Sequence, residues 1–374
     1  MFKKYKFNDF NFRLLIEVII LNTFGIVVVS SANPSYQTKQ LFGMIIGVIA
    51  MVIFALVDYE FILKFNWFIY IGTVGMLGLI LLPIFGYNAG GAQRWIEIAG
   101  FRFQPSEIAK IFIILFFAYF FGKYNEKLNT GKILGLSVIL MAVPLVLILK
   151  QPDLSTTIVT AMIFCGMIFM AGLSYKIVVG ILGVSVPLIV VLLSVIVSKG
   201  NLFLKDYQYM RIMSWLKPTE YANNALQQQN GITAIGSGRL FGKGLFYEGV
   251  DSLKNGNFIS EPHTDFIFTI IGEETGFVGC AFVIVMLLAI TLECVAVAKK
   301  AKNVEGKLIA IGVGTLIAIQ SFVNIGVNTG VLPNTGLTLP FLSYGLTSLV
   351  SLYIGVGIVL NVSLQPMKYR GILK

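Results

Sequence analysis

Charge is scarce in this chain. Of 374 residues, 12% are Asp, Glu, Lys or Arg, about half the share a soluble domain carries. With 56% hydrophobic residues and a mean hydropathy of +0.84, that shortage excludes a soluble fold and implies a polytopic membrane protein. Cysteine is also scarce. Cys165, Cys280 and Cys294 each lie inside an apolar run, which argues against a disulfide framework or a cysteine metal motif. There is one histidine, His263. No internal repeat and no low-complexity tail is visible. No cleavable signal peptide is expected, because the basic Met1–Arg13 segment runs into a span long enough to stay in the membrane. The net charge of +10 reads as topology and attraction to lipid headgroups, not as nucleic-acid binding.

Apolar runs of about 17 residues or more can cross a bilayer. Ten are present, at about 14–32, 40–57, 67–86, 106–121, 132–149, 154–172, 175–197, 265–298, 308–330 and 341–366. The expectation is an all-α membrane protein of about ten transmembrane helices, forming a single domain over 1–374. Lysine and arginine set the orientation. Lys3, Lys4, Lys6 and Arg13, then Lys299, Lys300, Lys302 and Lys307, then Lys368, Arg370 and Lys374 fall on one side. The short loops of the other side hold Lys39, Arg94, Arg102 and Lys150. Both termini are therefore expected in the cytoplasm. Two outer segments stand out, one at about 87–105 and a long loop at about 198–264 between the seventh and eighth spans. A structureless loop of that length is unusual, so short or re-entrant helices are expected in it.

Asp265 stands where that polar loop meets the eighth span, two residues after His263. Thr264 and Asp265 are good helix caps, and an anion is favoured at a helix N-terminus. The same carboxylate at the mouth of a membrane helix could equally be a functional group, and both readings stand. Glu107 and Lys110 are three apart on one helix face and can pair. They are either a structural ion pair or part of a polar substrate cavity. Asp153 in Gln151-Pro152-Asp153 is a turn residue and cap, or a site residue. Glu273 and Glu274 lie about 12–13 Å past Asp265 along the helix. Gly236–Gly244 resembles a phosphate loop without the P-loop order. It is either a flexible turn or a set of amides that, with Arg239 and Lys243, touches a diphosphate. Trp95 is an interfacial anchor or a packing surface for lipid or sugar. Asn324, Asn328, Thr329, Asn334 and Thr335 gather polar groups beside Pro333, Gly336 and Pro340. Such broken backbone is tolerated only against protein or water, so it should line the same cavity as Asp265.

Together these stretches resemble the SEDS family (shape, elongation, division and sporulation) over nearly the whole chain. The resemblance rests on Gly91-Ala92-Gln93-Arg94-Trp95-Ile96, Phe103-Gln104-Pro105-Ser106-Glu107, Gln151-Pro152-Asp153, His263-Thr264-Asp265-Phe266-Ile267-Phe268 with Gly272-Glu273-Glu274, Asn324-Ile325-Gly326-Val327 and Leu339-Pro340-Phe341-Leu342-Ser343-Tyr344-Gly345. Leu346 departs from the family's usual second glycine, and Lys254–Ser260 departs from its usual element before Glu261. The short termini favour the RodA branch over the FtsW branch.

The resemblance implies a peptidoglycan glycosyltransferase of the bacterial cytoplasmic membrane that polymerises lipid II at the outer face, with a class B penicillin-binding protein as partner. It places the catalytic aspartate at Asp265, the important outer-loop tryptophan at Trp95 and the intramembrane pair at Glu107 and Lys110. Arg94, Asp153, Arg211, Arg239, Lys243, His263 and Ser343 complete the expected substrate-binding set. A hydroxyl nucleophile at neutral pH needs a base in reach, and a leaving diphosphate needs positive charge or a metal. Asp265 is the expected base or, equally, a ligand for a divalent cation such as Mg or Mn; no organic cofactor is expected. The rival readings are a lipid II flippase or other secondary transporter, and a non-catalytic scaffold for a penicillin-binding protein.

Overall fold

The computed structural model describes residues 5, 9–82, 87–89, 92–98, 101–181, 183, 187, 191, 194–195, 206–247, 249, 252, 254, 256 and 260–365. The membrane part comprises α1 (Phe12–Ala32), α2 (Gln37–Leu56), the short α3 (Tyr59–Leu63), α4 (Asn66–Leu79), α5 (Pro105–Lys123), α6 (Gly131–Lys150) and α7 (Leu154–Met170). The long loop contributes α8 (Asp206–Leu216) and α9 (Ala222–Ser237), followed by α10 (Ile267–Lys300), α11 (Val304–Asn328) and α12 (Leu346–Ser363). Seven of these helices are long and apolar enough to cross a membrane, and the shorter apolar α4 and α7 accompany them. Only helices close all their backbone hydrogen bonds within one segment, which is why apolar runs of this length fold so. Of the span expected at 175–197, residues 175–181, 183, 187, 191 and 194–195 are described, and all are helical.

Local signals set the helix ends. Asn11 caps α1 by accepting from the Leu14 amide at 3.0 Å. Asn303 does the same for α11 through the Gly306 amide at 2.9 Å, and Pro105 opens α5, where its missing N–H costs nothing. α5, α11 and α12 are mostly buried and form the centre, whereas α2 and α6 turn most of their surface outward. α12 lies against α2 because Gly47 has no side chain: a Cβ there would stand 2.2 Å from the Tyr353 ring.

Two features depart from ten plain helices. The outer segment before α5 is a small antiparallel meander, β1 (Tyr87–Ala89), β2 (Ala92–Ile98) and β3 (Phe101–Phe103), with Tyr87 opposite Trp95 and Ile96 opposite Phe103. The chain is thus helical in the membrane with a three-stranded ribbon outside it. The second departure is a break in α10. Gly276 has φ 66 and ψ −160, a conformation that favours glycine. A half-helix, Ile267–Thr275, therefore precedes the true span that begins at Phe277.

The glycine-rich loop after α9 closes this break. The amides of Lys243 and Gly244 donate to the carbonyls of Glu273 and Glu274, both at 3.0 Å. The amides of Phe277 and Val278 donate back to the carbonyls of Arg239 and Leu240 at 2.9 and 3.1 Å. Gly238 and Gly242 permit the approach, because a Cβ on Gly242 would fall 2.1 Å from the Glu274 carbonyl oxygen. Four backbone groups that a kink would strand in an apolar medium are satisfied in this way.

Candidate functional site

Asp265 lies in the turn that leads into the half-helix, outside the membrane span. Its side chain does not cap the helix. Phe266 occupies the cap position without a side-chain bond. The cap comes instead from α11: Asn328 Oδ1 accepts from the Thr269 amide at 3.2 Å and from its hydroxyl at 2.8 Å. Asn324 and Asn328, one turn apart, each donate Nδ2 to the main-chain carbonyl of Asp265 at 2.9 Å. The peptide is clamped from behind, and the carboxylate is released from capping. On the other side Ser343 donates its hydroxyl to the Thr264 carbonyl at 2.6 Å, and the Tyr344 amide donates to the His263 carbonyl at 2.8 Å. Ser343 thus holds the turn by its main chain.

The freed carboxylate sits among cations without being locked to one. Burial pushes its pKa up to about 6, while Arg211 and, more weakly, Arg94 pull it back down. Arg211, on α8, is held below the usual guanidinium range by burial and then by the like charge of Arg94. Its Nη1 donates to the Thr335 carbonyl at 3.2 Å, which also accepts from the Ser155 hydroxyl at 2.6 Å. The next residue, Gly336, has φ 75, and a Cβ there would lie 3.2 Å from Asp265 Oδ2. The turn between Pro333 and Pro340 therefore rests directly on the carboxylate.

Arg94, on β2, donates to the carbonyls of Gln151 and Pro152 and lies 3.8 Å from Asp153 Oδ2. Asp153 serves both readings at once. Its Oδ1 caps α7 through the Thr156 amide at 3.0 Å, and its Oδ2 faces Arg94 and Gln104. Tyr207 adds a hydroxyl to the Pro152 carbonyl at 2.9 Å. Arg94 and Arg211 thus stand by Asp265, with Asp153 beside Arg94.

His263 is stacked on Tyr36 with ring centroids 4.1 Å apart, and its Nε2 lies 3.3 Å from a Glu261 carboxylate oxygen. Burial holds it below the usual imidazole range, against the pull of Glu261. Trp95 is half-buried on β2.

The remaining expected residues are engaged elsewhere. Lys110 pairs with Glu107 at 2.9 Å and donates to Gln320 Oε1 at 3.0 Å. Gln320 in turn reaches the Thr338 carbonyl at 3.0 Å, so this buried set props the same turn from inside the bundle. Lys243 pairs with Glu273 at 3.0 Å. Lys254 pairs with Glu274 at 2.6 Å, and Ser31 from α1 joins them. Among the described residues, no hydrogen bond or ion pair links Arg239, Lys243, Trp95, Glu107 or Lys110 to Asp265. Sequence reasoning missed Tyr207, Lys254 and the cap made by Asn328. Each acts across 20 or more residues of chain, where no spacing rule applies.

The described residues contain no group of three or more His, Cys, Asp or Glu side chains able to hold a metal. The site at Asp265 offers one carboxylate beside two guanidinium groups. It does not fit a resident protein cage.

Residues 12–368 match the family described as "Cell cycle protein", that of FtsW, RodA and SpoVE. The chain belongs to the FtsW/RodA/SpoVE family. Its relatives include a probable peptidoglycan glycosyltransferase FtsW of Geobacter metallireducens, 35% identical over 94% of this chain and 93% of the relative. The FtsW of Bacillus subtilis is 34% identical over 96% and 92%. Stage V sporulation protein E of the same organism is 33% identical over 94% and 96%. Among solved structures, a chain described under "Structural coordination of polymerization and crosslinking by a peptidoglycan synthase complex" superposes with a TM-score of 0.76 at 25% identity, over 95% of this chain and 97% of that one. Thermus thermophilus RodA shares the fold, with a TM-score of 0.67 at 24% identity over 95% and 96%.

Proposed function

We propose that the chain is a peptidoglycan glycosyltransferase that joins lipid II units into glycan strands at the outer face of the cytoplasmic membrane. The observation that carries this reading is a carboxylate clamped by its main chain, relieved of capping and facing two guanidinium groups. A sugar hydroxyl attacks the anomeric carbon of the growing chain. Asp265 takes the hydroxyl proton as the new glycosidic bond forms. The bond from that carbon to the polyprenyl diphosphate breaks, and the diphosphate leaves with the electron pair. Arg211 and Arg94 face the charge that develops there. A divalent cation, when bound, neutralises the diphosphate. Asp265 is the residue that would share it, and two arginines already provide part of the same charge.

A class B penicillin-binding protein is the proposed partner, supported by the likeness to a chain of a peptidoglycan synthase complex. Both termini are proposed to be cytoplasmic, on the distribution of lysine and arginine. Elongation and division are the two candidate settings, and the FtsW names of the relatives favour division. Depletion separates the two, giving rounded cells in the first case and filaments in the second.

The test is polymerisation of purified lipid II by the chain with its partner and a divalent cation, read as glycan polymer on a gel. The partner's own activity is blocked and a partner-only control is run. Polymer made only when the chain is present supports a polymerase. Transbilayer movement of lipid II without polymer would favour a flippase, and neither activity would favour a scaffold.

A further inference from the structure

The loop that closes the break in α10 carries a set of apolar side chains that point away from the protein. Phe241 is 76% exposed, Phe246 51%, Leu240 51% and Leu245 45%. Two independent rulers fix the height of this loop. The first is α10, which ends at Lys299 and Lys300. A hydrocarbon core of about 30 Å takes about 20 helical residues, so counting back from the lysines puts Phe277 and Val278 at the far boundary between hydrocarbon and headgroups. Arg239 and Leu240 are hydrogen-bonded to those two residues and lie at the same height. The second ruler is α1. Counting the same length forward from Arg13 reaches the end of the helix at Ala32, and the adjacent Ser31 accepts from the Phe246 amide at 3.1 Å. Both ends of the loop are thus level with one boundary of the membrane.

We infer that Arg239–Phe246 is a membrane-interface anchor, its apolar tip immersed in the lipid leaflet on the Asp265 side. Aromatic and basic residues are enriched at that depth. Arg239, exposed at the start of the loop, stands where lipid phosphates lie, and Phe241 and Phe246 stand where acyl chains begin. The exposed faces of Phe277 and Val278 continue the same surface into the span. Between the loop, α1 and α10 runs an open groove of about 460 Å³, bordered by Phe24, Phe241, Leu245, Val278 and Phe282, and lipid chains fill it. Bulk membrane lipid is the occupant because the patch is continuous with the lipid-facing surface of a span at a depth that the helix length sets. The loop also holds the half-helix that leads from Asp265, so its immersion fixes the height of the carboxylate above the leaflet. That last consequence rests on the proposed reaction; the immersion itself does not.

Collision of a spin label with oxygen and with a water-soluble nickel chelate tests the depth. The full chain carries Cys165→Ala and one new cysteine, Phe241→Cys, in vesicles of phosphatidylethanolamine and phosphatidylglycerol. Glu220→Cys, in the turn between α8 and α9, is the aqueous control. Oxygen should dominate at 241 and the nickel chelate at 220, with the ratio shifted several-fold between them. Equal ratios at the two positions would overturn the proposal. So would a label at 241 that meets nickel freely in the chain alone and is shielded only when a partner protein is added, because the patch would then be a protein-docking face. Phe246→Cys repeats the measurement should the 241 variant misfold, and the same two results decide it.

Discussion

Two sets of carboxylates lie within a few turns of each other on α10 and its leading turn, and they are treated in opposite ways. Glu273 and Glu274 are buried and paired, with Lys243 and Lys254, at the break in the helix. Asp265 has cations near it, yet none forms an ion pair with it among the described residues, and part of its surface stays open. Its backbone is held as firmly as theirs, by two asparagines, a serine and the Tyr344 amide. The difference separates architecture from chemistry. A carboxylate closed in an ion pair holds parts together, and one without an ion-pair partner can exchange a proton or meet a ligand. Glu107 and Lys110 belong with the paired set, and Gln320 accepts a second bond from Lys110.

Breaking a closed pair should cost the most. Glu274→Ala leaves Lys254 stranded, and loss of one partner of a buried pair costs on the order of 3–5 kcal/mol. The variant should yield far less folded protein by size-exclusion chromatography in detergent. Glu274→Gln with Lys254→Met should recover much of the loss, since replacing both charges is far less costly. Lys110→Ala should likewise destabilise the protein in a thermal-shift assay, whereas Lys132→Ala, at the exposed start of α6, should not.

Next in size is the clamp. Asn328→Ala removes the cap on Thr269 and one donor to the Asp265 carbonyl. Each buried group left unsatisfied costs about 1–3 kcal/mol. The expected result is a folded protein with a lower melting point and a turnover that falls more than substrate affinity does. Equal activity of wild type and variant would show that the clamp does not position the carboxylate.

Smaller still is Gly336→Ala. A side chain in that left-handed conformation costs about 1–2 kcal/mol, and its Cβ would press on Asp265 Oδ2. Stability should drop slightly, with a larger drop in polymer yield.

The spans were legible because apolar runs of membrane length have few other solutions. The Glu107–Lys110 pair followed from a spacing of three, and the Asp153 cap from its place before an apolar run. Asp265 stood out as the acid at a joint between polar loop and span. Its release from capping was not legible. The cap on Thr269 is supplied by a residue 59 positions away, and the Lys243–Glu273 pair joins residues 30 apart. No local propensity encodes such partners. The break at Gly276 was hidden for a similar reason: a lone glycine in an apolar run is ordinary, and what makes this one a break is the loop that satisfies it.

The central claim is that Asp265 is held for chemistry and not for the fold, and its titration and its replacement by Asn test that together. A folded-state pKa raised from 3.8 to about 6 means that the folded protein binds this proton more tightly than the unfolded chain. The carboxylate's contribution to stability is therefore favourable below about 4 and is lost as pH rises through about 6. Above that range the ionised group weakens the fold, so Asp265→Asn should melt at or above the wild-type temperature at pH 7.5. Polymerisation by the wild type should rise with pH through about 6 and then level off, as the base loses its proton. The decisive measurement is lipid II polymerisation by Asp265→Asn beside its melting temperature at pH 7.5. The account predicts an unchanged or raised melting temperature with polymerisation reduced by about 10²–10⁴. Robust polymer from the Asn variant, or a variant that fails to fold, would contradict it.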